Sequence, residues 1–417
     1  MTQTLTIERL GHLGDGIAPG PVYVPGALPG EEVCGTVNDD LMTAVKILTP
    51  TADRVRPPCP HARRCGGCTL QHASDGFVAG WKTDVVRAAL AAQGLAAPFR
   101  PMHVSAPQTR RRATLAARRT KQGALVGFHA RASDVIVPIP QCLLLHPRLM
   151  AALPWIEAIT TCIASRKSTL AITLTLTETG LDLGIAGAGR PDTARIAELA
   201  AIAESAGFAR LCLGDEVIAQ ATAPVLRLGP ARVPVPPGTF LQATPEGEAA
   251  LQAAVLDAAL GDGSAPRRII DLFAGCGTFA LPLAAYAPIH AVEGDAAMTG
   301  ALQTGWRQTP GLRPLTAETR DLFRRPLTPA ELQADTVVID PPRAGAEDQS
   351  RALAQSDVPR IAFVSCNPVT FARDARILTA GGYRLTWVQV VDQFRWSHHV
   401  ELVARFDMNP ATGSHRR

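Results

Sequence analysis

The sequence predicts an α/β protein of several units: a small β-barrel, then an antiparallel α+β region, then a parallel, doubly wound sheet. Three observations carry this reading. At 417 residues the chain exceeds a single domain of ~150 residues, so two or three domains are expected. The first ~50 residues read as short alternating segments cut by glycines, and beyond about Ala265 apolar strands alternate with helical patterns, the signature of a parallel sheet.

Taken in order, Leu5 to Leu10, Pro21 to Pro25 and Glu32 to Val37 are strand-like, separated by Gly11, Gly14, Gly16, Gly20, Gly26 and Gly30. That spacing suggests the barrel, over residues 1–52. A helix is expected from Phe77 to Gln93, stopped at Gly94, with Val85, Val86 and Leu90 as its core stripe. Between Arg110 and Leu241 strand alternation dominates, as in Ala171 to Leu176, with a helix near Asp192 to Ala206. Residues 53–240 are therefore read as one central α+β region. After a change of register near Ala265, Arg268 to Phe273 is a strand and Phe279 to Tyr286 a helix. Ile289 to Glu293, Thr336 to Asp340 and Arg360 to Val364 supply further strands, and 241–417 form the last domain. Asn409 to Arg417 read as a disordered tail.

Composition narrows the function classes. Apolar residues make up 47% and charged residues 19%, and no apolar run reaches the ~18 residues of a membrane span. A soluble globular protein without membrane partners is expected. Met1 to Thr4 carry neither a basic nor an apolar leader segment, so a cytoplasmic location is expected. Net charge is only +4, yet no Asp or Glu falls between Val85 and Ser133. Arg87, Arg100, Arg110, Arg111, Arg112, Arg118, Arg119, Lys121 and Arg131 all do. Such a belt suits either a phosphate backbone or an ordinary solvated face.

Nine cysteines in a chain of this length do not suggest a disulfide framework. Cys59, Cys65 and Cys68 form C-x5-C-x2-C, and Cys142, in a turn-like setting, is the nearest downstream fourth thiol. An iron-sulfur cluster, a structural zinc and an unligated loop all remain open from the spacing.

The chemistry concentrates at predicted strand ends, where ligands of doubly wound sheets bind. The first strand runs into Ala274-Gly275-Cys276-Gly277-Thr278, and Glu293 ends the next strand, where an acid can accept hydrogen bonds from ribose hydroxyls. With no third glycine and no phosphate-binding G-x-x-x-x-G-K-[ST], S-adenosylmethionine is favoured over NAD or ATP. Asp340 precedes two prolines that end its strand. Cys366, in Ser365-Cys366-Asn367-Pro368, lies at the same sheet edge. A lone cysteine is ordinarily inert and buried, but near a helix N-terminus and a cationic cofactor the thiolate is expected to be favoured.

This ordered set resembles the bacterial RNA 5-methyluridine methyltransferases over nearly the whole chain, and within them the 23S rRNA members that carry a TRAM domain and a [4Fe-4S] cluster. The resemblance implies a Rossmann-like S-adenosylmethionine-dependent methyltransferase domain and an OB-like, RNA-binding TRAM barrel, carried by Gly14 to Ala18 and Val24 to Glu31. It implies Cys59, Cys65, Cys68 and Cys142 as [4Fe-4S] ligands. Gln242, in Phe240-Leu241-Gln242, with Phe273, Thr278, Glu293, Asp321 and Asp340, is implied to line the cofactor site. Cys366 matches the nucleophile and Glu401 the general base, although Glu401 also fits an ordinary edge-strand acid. Thr278 stands where Asn is common, and Gln393 to Ser397 depart from the usual proline and threonine. The implied reaction is methylation of uracil C5 in RNA, 23S rRNA first and tRNA second, by a monomer. A non-catalytic RNA-binding or assembly factor and a zinc-stabilised methyltransferase of a small molecule or protein are the competing readings.

Overall fold

The computed structural model describes residues 2–261 and 266–409. The register change expected near Ala265 and the tail beyond Asn409 lie outside the described residues.

The N-terminal sheet has six strands in the order Thr2–Thr6, Glu32–Asn38, Leu41–Thr49, Val22–Val24, Gly16–Ala18 and Arg9–Leu10. Its first and last strands are one continuous stretch of chain, bridged where Ile7 N donates to Glu31 O and Glu8 N to Ile17 O, both at 2.9 Å. The sheet thus curls until its edges meet, a barrel-like closure around Ile7, Val24, Ala27, Val33 and Met42. Gly16 is required there, since a Cβ would lie 2.9 Å from the Ile7 side chain and 3.0 Å from Ala27 O.

Seven strands make the central sheet, and helices Leu153–Ile163 and Thr193–Ser205 cover one of its faces. All its pairs are antiparallel except Gly180–Ala186 with Arg210–Leu213. Those two are joined through Thr193–Ser205, the crossover that parallel pairing demands.

The third sheet has eight strands in the order Leu315–Thr319, Ile289–Glu293, Ile269–Leu272, Thr336–Ile339, Arg360–Ser365, Glu401–Met408, Tyr383–Asp392 and Phe99–Val104. Its first five strands are parallel and the order reverses beside Ile269–Leu272, so their carboxyl ends open on a crevice at the switch point. Two elements from the stretch 53–240 join this sheet. Strand Phe99–Val104 forms its edge, and helix Asp75–Ala92, capped by Ser74, packs Val86 and Leu90 into the core beside helix Pro368–Ala380.

Two local expectations are corrected. The first strand stops at Leu272 because Phe273 turns to a left-handed φ of 61°. The helix expected over 279–286 is only Ala280–Leu283. Its last turn tightens to three-residue bonds, Tyr286 N to Leu283 O at 2.9 Å, ahead of Pro288.

Among the described residues no helix is long and apolar enough to cross a membrane.

Candidate active site

The loop after strand Ile269–Leu272 sets the site. Gly275 and Gly277 adopt φ of 55° and 97°, a region glycine enters without penalty. A Cβ on Gly275 would meet nothing within 4 Å, so the backbone there faces open cavity. Glu293 holds this loop: its Oε2 accepts from Gly275 N and its Oε1 from Asp295 N, both at 2.9 Å. Each oxygen keeps lone-pair capacity for a ligand hydroxyl.

A cavity of about 480 Å³ lies over these strand ends, and Gln242, Phe273, Thr278, Glu293, Asp321, Asp340, Cys366 and Glu401 all line it. Every residue expected at the catalytic and cofactor positions is therefore gathered in one place. Phe273 packs against Phe323, the rings tilted by 54° with centroids 5.5 Å apart. Asp321 is tied to its own turn, its Oδ1 accepting from Phe323 N at 3.0 Å.

The cavity is acidic. Glu293, Asp321, Asp340 and Glu401 face it with Arg343 as the lining cation, and Asp271 lies fully buried in the strand leading to the glycine loop. Burial pushes the Asp340 carboxyl up to about 7. Burial, then the neighbouring Asp340, pushes Asp271 and Glu401 well above the carboxylate range. Such a field is complementary to a cation.

The expectation for Cys366 is corrected in the protein alone. Burial raises its thiol, and the charges of Glu401 and Asp340 add to that, outweighing Arg343. A thiolate would gain once a positive ligand entered the cavity.

Sequence reasoning missed the groups that hold the site. Gln393, 2% exposed, accepts from Ala243 N at 2.7 Å and donates to both Gln242 Oε1 and Glu401 Oε2. Arg111 Nη2 meets Glu248 Oε2 at 2.6 Å, and its Nε donates to Gln242 O at 3.1 Å. Lys82, fully buried, pairs with Asp392 at 2.7 Å and donates to Phe394 O. No local signal marks these contacts, and apart from Gln393 with Glu401 they join residues more than a hundred positions apart.

Several members of the basic belt are paired within the chain. Arg87 pairs with Asp84, Arg100 with Asp257, Arg111 with Glu248 and Arg131 with Asp15, while Arg118 donates to Thr169 Oγ1. The pairs of Arg100, Arg111 and Arg131 tie elements distant in sequence, while Arg87, Arg100 and Arg131 stay exposed.

Cys59, Cys65, Cys68 and Cys142 converge on a second cavity of about 270 Å³, together with Arg110, His398 and His399. Among the described residues, however, no group of three or more His, Cys, Asp or Glu side chains is arranged to hold a metal ion. Burial pushes the Cys68 thiol up to about 12. This loop docks on both sides: Gly66 N donates to His129 O of the central sheet, and Thr69 N and Leu70 N donate to Trp396 O, all at 2.9 Å. A Cβ on Gly66 would lie 2.8 Å from His129 O. His399 Nδ1 lies 3.2 Å from Arg343 Nη2, so the segment before Glu401 borders both cavities.

Comparison with known proteins agrees with this geometry. Residues 316–405 match the family model described as tRNA (Uracil-5-)-methyltransferase. An uncharacterised RNA methyltransferase of Mesorhizobium japonicum is 44% identical, the match spanning 98% of both chains. The 23S rRNA (uracil(1939)-C(5))-methyltransferase RlmD of Shewanella sp. (strain MR-7) is 32% identical over 97% of this chain and 96% of that protein. Among solved structures, the Pyrococcus abyssi tRNA (uracil-54, C5)-methyltransferase in complex with S-adenosyl-L-homocysteine is similar in fold, with a TM-score of 0.75, 21% identity, and coverage of 97% of this chain and 99% of that one. The full-length relatives and the matched C-terminal segment converge on one conclusion: the chain belongs to the RNA (uracil-5-)-methyltransferase family of methyltransferase enzymes.

Proposed function

We propose that this enzyme methylates C5 of a uridine in 23S rRNA, using S-adenosylmethionine and a covalent bond from Cys366 to C6. The observation that carries this reading is the meeting of a thiol, Cys366, and a carboxyl, Glu401, in one acidic cavity beside a glycine loop held by Glu293. That cavity suits the cofactor. Its volume falls in the ~300–1,000 Å³ range of small-molecule sites, and its carboxyls complement a positive charge. When bound, S-adenosylmethionine supplies an electrophilic methyl group on a sulfonium.

The chain's own residues do the rest. Glu293 offers both oxygens to the ribose, and Gln242, Phe273, Thr278, Asp321 and Asp340 wall the remaining cofactor volume. The Cys366 thiolate adds to C6, which makes C5 of the uracil nucleophilic. After C5 is methylated, Glu401 takes the C5 proton, the C5–H pair forms the C5=C6 bond, and the C6–S bond breaks back to thiolate. The target base must leave its stack to reach this depth, so an unpaired or flipped uridine is the substrate.

A relative that matches over nearly the full length at 32% identity is named for a 23S rRNA target, and this supports the choice of substrate. A tRNA substrate is the second reading, supported by the family model over residues 316–405. The barrel-like sheet is read as a TRAM domain that contacts RNA. Cys59, Cys65, Cys68 and Cys142 are read as the holders of a [4Fe-4S] cluster. Four soft thiol donors around one cavity fit such a group in donor chemistry, and no step of the reaction passes through it. The protein is read as a cytoplasmic monomer with domains 1–52, 53–240 and 241–417, the last completed by Asp75–Ala92 and Phe99–Val104 from the central stretch. Methyl transfer from labelled S-adenosylmethionine to rRNA, present with the native protein and absent with Cys366→Ala, tests the proposal. Retention of activity in Cys366→Ala would refute the covalent route.

A further inference from the structure

The segment Asp392 to Val400 contributes one buried side chain to the site that the proposed reaction leaves without a role, Gln393. Its carboxamide is fully used. Oε1 accepts from Ala243 N at 2.7 Å and Thr244 N at 3.4 Å, and because both partners are backbone donors, the oxygen must be the atom on that side. Nε2 therefore points the other way, and its two hydrogens go to Gln242 Oε1 and Glu401 Oε2. Room for this side chain is made across the interface. A Cβ on Gly247, in the first turn of helix Pro245–Leu260, would lie 2.6 Å from Gln393 Cβ.

The geometry points to Gln393 as the positioning residue of the proton-removal step: it fixes Glu401 by one oxygen so that the other, Oε1, receives the proton from C5. This inference rests on the proposed role of Glu401 as the base. A donor on Oε2 cannot be served by a protonated oxygen whose hydrogen points at it, so the N–H of Gln393 excludes the carboxyl proton from that side. During the step the C5–H electron pair becomes the C5=C6 bond, the proton goes to Glu401 Oε1, and the C6–S pair returns to Cys366.

Two variants test this. Gln393→Met keeps the length and removes every polar atom. Gln393→Glu keeps the shape but sets a carboxyl where Nε2 donated. The substrate is total rRNA and tRNA from cells lacking the gene, with labelled S-adenosylmethionine. At saturating S-adenosylmethionine, so that any weakening of cofactor binding through Gln242 does not register, first-turnover methyl transfer should stay within about threefold of the native protein in both, while product release slows by about 10- to 100-fold, the usual loss when a group supporting a reactive residue is removed. A covalent RNA–protein adduct should then accumulate on denaturing gels. Native turnover in Gln393→Glu, or slowed first-turnover transfer without adduct in either variant, overturns the inference. If Gln393→Met does not fold, Gln393→Glu alone decides. Glu401→Gln and Cys366→Ala separate the two levels. Adduct in Glu401→Gln but in neither Gln393 variant defeats the inference only, whereas methylation by Cys366→Ala defeats the reading beneath it.

Discussion

Arg111→Met isolates the clamp between the central region and the active site. The guanidinium and the Glu248 carboxylate are both nearly inaccessible, at 9% and 7% side-chain exposure, and 2.6 Å apart. Burial already raises Glu248 despite Arg111. Removing the cation strands that carboxylate, and a broken buried pair costs about 3–5 kcal/mol. The molecule has one escape, which is to protonate Glu248. At pH 7 this costs an ordinary glutamate about 1.4 kcal/mol for each of roughly 2.7 pH units, or about 4 kcal/mol. At pH 5 the same step costs only about 1 kcal/mol. The sign follows from linkage. The variant's folded state has the raised pKa, so it binds a proton that the unfolded chain has released, and its stability falls as pH rises. Urea unfolding followed by tryptophan fluorescence should show a deficit of about 4 kcal/mol at pH 7 that shrinks to about 1 kcal/mol at pH 5. Equal deficits at both pH values, or none, would refute the reasoning.

Three further outcomes are expected. Glu293→Ala removes the carboxylate that holds Gly275 N. It should weaken S-adenosylmethionine binding by calorimetry about 10- to 100-fold, the equivalent of one or two charge-assisted hydrogen bonds, and an unchanged Kd would contradict the cofactor assignment. The rate should rise with pH through neutrality, because Cys366 and Glu401 both work deprotonated and both are raised by burial. A kcat/KM profile level from pH 6 to pH 9 would count against those roles. Gly127→Ala places a Cβ 1.9 Å from Val137 O across a strand pair. It should cost about 1–3 kcal/mol or more in thermal melting, and a native-like melt would show that the two strands separate easily.

What was legible in the sequence was local. The glycine loop, Glu293, Asp340 and Cys366 each end a strand, so one topological rule brings them to one edge, and the structure places them around one cavity. Helix Asp75–Ala92 was legible from its apolar stripe and the Gly94 stop, although its start, capped by Ser74, lies two residues before the expected Phe77. Strand Phe99–Val104 pairs with Tyr383–Asp392 nearly three hundred residues later, and no periodicity announces such a partner. The pairing of the belt from Arg87 to Arg131 was hidden for the same reason, since Asp15, Glu248 and Asp257, which pair with three of its members, lie far away in sequence. Cys366 shows a different limit. Its position could be read from its motif, but its ionisation depends on which charges folding brings beside it, and two of them are carboxyls.

Mass-spectrometric mapping of 5-methyluridine in rRNA and tRNA, from cells with and without the gene, bears most directly on the central claim. The account predicts loss of one 5-methyluridine in 23S rRNA, restored by the native protein and not by Cys366→Ala. An unchanged set of 5-methyluridines, or full restoration by Cys366→Ala, would contradict it.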